Sequence, residues 1–174
     1  MRTFVNLAIL CLFVIIGCSI DNGSSYKILV KDTNEKSKYR IVIQDYNYYY
    51  WAILYKEEAL SSVCSCFLWS SKKPLPESEM PAPFNGNPPI SEKYASNEAL
   101  FENFIDEELR IIWNKKGDTS VVLIKDNPIC LLDGTNHKSF SKSVKEAGPY
   151  GLPWDDYVFN NIAVQNNLKI KYCL

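Results

Sequence analysis

Histidine is nearly absent from this sequence: the 174 residues hold one, His137. That excludes multi-histidine metal centres and leaves a histidine-based triad a single possible base. No Gly-x-Ser-x-Gly elbow accompanies it. A phosphate loop, a dinucleotide fingerprint, a calcium loop and a metalloprotease helix are all missing. A basic excess is missing too, since 19 Lys and Arg stand against 20 Asp and Glu, for a formal charge of -1. Such a chain lacks the electrostatic means to coat a nucleic acid, so no nucleic-acid partner is expected. No internal repeat is evident. No catalytic set, metal or cofactor is expected, and the chain reads as a non-enzyme.

Aromatic residues are plentiful, with 11 Tyr, 8 Phe and 4 Trp. With 47% hydrophobic and 22% charged residues, the balance is that of a globular chain able to bury a core. The length fits one domain.

The first residues read as an address. Arg2 and the amino terminus supply a positive start, and Phe4 to Ile16 an apolar stretch. That stretch is shorter than the roughly 20 residues a spanning helix needs, so it reads as a signal-peptide core. It ends in Ile15-Ile16-Gly17-Cys18, which resembles the lipobox of bacterial lipoproteins. The resemblance implies cleavage before Cys18 and acylation of Cys18, with two or three chains giving stable anchorage. The expected organisation is a signal peptide over 1–17, a lipidated polar tether over 18–25 and one domain over 26–174. The tether, Ser19 to Ser25, reaches about 25 Å when extended. The membrane, through the Cys18 lipid, is the first expected partner. The expected location is the cell envelope, on the periplasmic face of the outer membrane in a Gram-negative cell.

Of the six cysteines, Cys64, Cys66, Cys130 and Cys173 remain in the mature domain without lipid. An even number in an exported chain points to disulfides. Cys64 and Cys66 lie two apart, on one face of a strand, and are poorly placed to bridge each other. They are expected to pair with Cys130 and Cys173, in an order left open. Each bridge would close a long loop, worth about 3–4 kcal/mol in the chain-entropy model. A four-thiolate metal site is disfavoured because paired C-x-x-C spacing is missing.

Local patterns suggest an α+β domain dominated by antiparallel sheet. Strands are expected over 26–31, 38–44, 48–55, 62–69, 108–113, 120–125 and 129–132, with a terminal strand from Leu168 to Cys173. Tight turns at 114–118 and 126–128 imply a meander. Short helices are expected over 97–105 and 154–163, the second with Pro153 near its start and Asp155 and Asp156 at its positive end. Six prolines between Lys72 and Pro89 predict a long exposed loop over 72–90.

One sequence of motifs carries a resemblance. Ile41-Val42-Ile43-Gln44-Asp45 leads into Tyr50-Trp51-Ala52. Then come Ile111-Ile112-Trp113-Asn114, Gly117, Val122-Leu123, Pro128, Asp133 and finally Trp154-Asp155-Asp156. The order resembles a small bacterial family of uncharacterised domains that share a Trp-Asn-x-x-Gly hairpin and a late Trp-Asp-Asp, over roughly Tyr39 to Ile162. Gln44-Asp45-Tyr46 stands where the family has an acidic run. Pro128-Ile129-Cys130 stands where it has Pro-His-Ala, and the glycine opening its aromatic strand is missing here. No family site carries over. The resemblance extends to compact antiparallel domains among toxin-neutralising immunity proteins, which implies a protein partner, either a toxin or an envelope component.

Isolated polar groups have plain explanations. His137 falls in a polar loop. Two adjacent aspartates, Asp155 and Asp156, cannot face each other across a substrate and suit a helix start. Asp106-Glu107-Glu108 reads as a solvated face. The aromatic run is the candidate binding feature. Tyr48 and Tyr50 share one face of a strand and would expose rings to a partner, unless the strand is buried on both sides. The expected function is protein capture at the envelope, with a structural or cell-wall-binding role as the alternative.

Overall fold

The computed structural model describes residues 26–57, 61–81, 87–102 and 108–165, with the side chains of 162–165 left aside. The signal, Cys18 and the tether lie outside these residues, as do Asp106, Glu107, the terminal strand and Cys173.

Among the described residues, nine strands form two sheets. The first has the order β1 (Lys27–Asn34), β2 (Tyr39–Asp45), β3 (Tyr49–Lys56) and β4 (Ser62–Ser70), all antiparallel neighbours. In the second, β5 (Leu109–Trp113), β6 (Thr119–Ile124), β7 (Asn127–Asp133) and β8 (Lys138–Ser141) make the expected meander. A two-residue β9 (Leu152–Pro153) adds in parallel to β8. The sheets pack face to face. Ile41, Ile43, Ala52, Leu54, Cys66 and Leu68 of the first meet Val122, Ile124, Cys130 and Leu132 of the second.

The outer faces are covered as well. Trp51 and Phe67 point away from the other sheet into a second cluster with Ile90, Ala95, Ala99, Val144 and Tyr150. Val121, Leu123 and Leu131 face outward from the second sheet, beneath Phe159 of α1 (Asp156–Gln165). Strands β3 and β6 are thus buried on both sides. This is why their residues run almost continuously apolar instead of alternating.

The expectation of an α+β domain with two or three short helices is therefore corrected. The protein is largely β, and among the described residues one α-helix and one 3₁₀ turn (Glu77–Glu79) are the helical elements. The expected helix over 97–105 is not formed in its described part. The Ser96 hydroxyl accepts from the Glu98 amide and closes a local turn. The chain then runs beside β4: Ser70 donates to Ala99 O at 2.7 Å and Phe101 donates to Ser70 O at 2.8 Å. Sheet-edge hydrogen bonding wins over the apolar spacing that suggested a helix. In α1, Asp155 is the cap, its carboxylate accepting from Tyr157 N and Val158 N. Pro153 belongs to β9 instead of the first helical turn.

Two further boundaries move. The β6–β7 turn is Lys125-Asp126, both with positive φ, the mirror-image two-residue hairpin usually made with Asn-Gly. Pro128 therefore lies inside β7, opposite a register shift at Val122/Leu123 where a missing N–H is tolerated. The proline-rich segment is no simple exposed loop in its described parts. Pro88 O accepts from the Trp51 indole at 3.2 Å, Pro89 O accepts from the Tyr150 hydroxyl at 3.0 Å, and Ile90 is fully buried. This segment supplies the cover that β3 and β4 need on their outer face. Ile90→Ala is expected to cost about 2–4 kcal/mol by denaturant titration, where a loop-surface change would cost under about 0.5 kcal/mol.

Candidate binding groove

The two ends of the sandwich differ in chemistry. One end gathers the β1–β2, β5–β6 and β7–β8 turns. There Asn114 Oδ1 accepts from Gly117 N at 2.6 Å and from Asp118 N at 3.1 Å, while its amide donates to Asp118. Gly117 has φ +78, and a Cβ there would run into the Asn34 side chain. Ser37 donates to Gly117 O at 2.6 Å, and the Trp113 indole donates to Asp32 at 2.8 Å, tying β1 to β5. The Trp-Asn-x-x-Gly motif is thus a hairpin lock. Burial pushes the Asp118 pKa up, but hydrogen bonds from Asn114, Thr135 and Thr119 outweigh it and hold the carboxyl below its ordinary value.

His137 lies exposed in the β7–β8 turn at the same end, with φ 54. A shallow cleft there is lined by Cys64, His137, Ser139 and Gly151. Burial, then Cys66 and Asp133 nearby, push the Cys64 thiol up to about 12, so it stays protonated at neutral pH and is no nucleophile. Asp155 caps its helix, and Asp156 accepts from the Trp154 indole at 2.8 Å. Glu108 pairs with Lys125 at 3.0 Å. None of these carboxylates faces another across a cleft.

The opposite end is open and apolar. It holds the start of β1, the end of β2, the start of β3 and the end of β4, so the chain enters the domain there. Between the sheets a groove of about 410 Å³ is walled by Leu68 and Trp69 of β4, Leu100 and Phe101 beside it, and Ile124 and Ile129 of the second sheet. Glu98, Lys125 and Lys142 stand at its rim. A groove of this size and lining accepts an apolar group and orients it through a few polar neighbours. The sequence did not single it out, because its walls come from four separate segments.

Tyr48 and Tyr50 do not form one exposed surface. Tyr50 is buried and stacks on Trp69 at 4.6 Å, behind the groove wall. Tyr48 has φ 83 in the turn before β3 and is half exposed, with the Lys72 ammonium 4.2 Å from its ring centroid. Tyr26 and Ile28, also about half exposed, lie at the same end, and Tyr26 meets the Tyr46 ring at 5.2 Å. Of the cysteines, Cys64, Cys66 and Cys130 come together between the sheets. No cluster able to hold a metal is found among the described residues.

Two measurements check this arrangement. Tyr50→Ala is expected to destabilise by about 3–5 kcal/mol, and Tyr48→Ala by no more than about 1 kcal/mol, the size of an exposed cation–π contact. The second concerns alkali. Burial raises Tyr46 from 10.0 to about 12 and Cys64 from 9.0 to about 12, and raises Tyr39, Tyr49, Tyr55 and Tyr150 as well. Each keeps in the fold a proton that the unfolded chain gives up. Their contribution is intact below about pH 9 and is lost as the pH rises toward about 12. The melting temperature should hold across neutral pH and fall steadily above pH 9, and a flat profile to pH 11 would contradict the burial described.

Comparison with family models, curated proteins and solved structures gives no match.

Proposed function

We propose that this chain is a lipid-anchored bacterial envelope protein that acts by binding a protein partner, as an immunity protein captures a toxin. The observation that carries this reading is that residue 26, which follows the expected tether, and the groove lie at the same end of the sandwich. Residue 26 precedes β1, whose Lys27 pairs with Asp45, and the groove runs between the end of β4 and the β6–β7 hairpin. A tether of about 25 Å keeps that end near the bilayer. The partner is therefore a protein that comes to the membrane surface and offers a large apolar side chain. Such an anchor in a dry pocket is the usual source of binding energy at a protein interface. The exposed rings of Tyr26 and Tyr48 favour the second reading, stacking against cell-wall glycan.

Cells making the full chain separate the two. Cys18→Ser should abolish incorporation of labelled palmitate. The wild type and Tyr48→Ala should co-purify with one stoichiometric partner, tested first with the product of the adjacent gene, and suppress its toxicity. Phe101→Ala and Ile129→Ala, each checked for an unchanged circular dichroism spectrum because both residues also pack on the core, should weaken that capture by about tenfold or more. Undiminished capture by both groove variants would sink the groove. Retention on peptidoglycan, lost in Tyr48→Ala, would replace protein capture by the glycan reading.

A further inference from the structure

Cys66 of β4 and Cys130 of β7 face each other across the seam between the sheets. Both are fully buried, and their sulfurs stand 2.6 Å apart. Unbonded heavy atoms settle at about 3.5–4.0 Å, so the backbone holds these two closer than separate thiols rest. Cys64 lies on the same face of β4, one step nearer the polar end, where its thiol sits 4.0 Å from Asp133 O. It is partly exposed, whereas Cys66 and Cys130 are sealed.

We propose that Cys66 and Cys130 are redox partners that close into a disulfide under oxidising conditions, a covalent staple between the two sheets, and that Cys64 stays outside it. The step is thiol–disulfide exchange with an oxidised carrier, either a protein disulfide or oxidised glutathione. One thiolate of the pair attacks the carrier disulfide, forming a mixed disulfide and releasing one carrier thiol. The second thiolate displaces the other carrier sulfur. One S–S bond forms in this chain and one breaks in the carrier. The two protons leave with the carrier thiols, and the carrier is reduced by two electrons. The pair has no solvent access once the sheets close, so the bond forms before the sandwich is complete. Afterwards it is shielded from reductant.

The first test is disulfide mapping of the full chain after unfolding and trapping of free thiols with N-ethylmaleimide. The same mapping is made on chain refolded in a glutathione redox buffer. The expected product joins the Cys66 and Cys130 peptides, two hydrogens lighter than the separate thiols, in both samples. Free Cys66 and Cys130 in the refolded chain, or a bond from either one to Cys64 or Cys173, would overturn the proposal. The bond in refolded chain with free thiols in cell-derived protein would uphold the pairing and count against the exported location. A second reading comes from stability. Reduction in denaturant followed by refolding should lower the melting temperature by about 10 °C, for a closed loop of this length. Cys64→Ser should leave that difference unchanged, and Cys66→Ser with Cys130→Ser should remove it. Rapid reduction of the folded protein by dithiothreitol, without unfolding, would contradict the shielding.

Discussion

The structure depends on covering both faces of two central strands. Trp51 and Ala52 are neighbours on β3, so one must point toward the partner sheet and the other away from it, and both are almost wholly buried. The same holds for Val121 and Val122 on β6. A sandwich of two bare sheets would leave Trp51, Phe67, Val121 and Leu131 in water. Fully burying a large apolar side chain is worth about 1.5–3 kcal/mol, so leaving four exposed would consume much of a domain's net stability. The irregular parts of the chain answer that demand. The segments carrying Ile90, Ala95 and Tyr150 close one outer face, and Trp154 with α1 closes the other.

Once both faces are sealed, what remains to distinguish is the two ends. The polar end is locked by side chains that satisfy the turns: Asn114 on its own hairpin, Ser37 on Gly117, and Asp133 accepting from Thr135 N and Asn136 N. Little there is left for a ligand. At the other end Ser143 donates to Leu68 O and to Glu98 O along one side of the groove. Leu68, Trp69, Phe101 and Ile129 meet across a gap instead of across a hydrogen-bonded turn. The two motifs Trp113 to Gly117 and Trp154 to Asp156 are both explained by local structure, a hairpin lock and a helix cap. Neither lines the groove, although the Trp154 ring lies under the Lys142 ammonium at its rim.

Much of the sheet was legible in the sequence, because strand signals are local. Tyr39 to Asp45 shows β-branched residues between turns, and the Asn114 to Asp118 turn carries its glycine where the backbone needs positive φ. Helices were over-read. Leu100 and Phe101 have the spacing of an amphipathic helix, yet they are drawn out along β4 by hydrogen bonds to Ser70. Those partners lie 30 residues away and leave no local signature. Prolines between Lys72 and Pro89 were read as punctuation of an exposed loop, when the carbonyls of Pro88 and Pro89 are acceptors for buried Trp51 and Tyr150. The aromatic run was read either as an exposed face or as a strand buried on both sides, and local sequence could not decide, because the cover comes from segments remote in sequence. The groove was invisible for the same reason.

The thiol pair and the groove are mechanically linked. Leu68 stands two residues beyond Cys66 on β4, and Ile129 precedes Cys130 on β7, so opposite groove walls are the immediate continuations of the two cysteine positions. Whatever fixes the separation of β4 and β7 at the cysteines sets the groove's width one step further along. Dispersion contacts alone would allow small sliding of one sheet over the other, each contact being worth only about 0.1–0.2 kcal/mol. A covalent tie removes that freedom where the walls begin to part. A groove held at constant width loses less conformational entropy when it is filled, and so gives up less affinity to ordering.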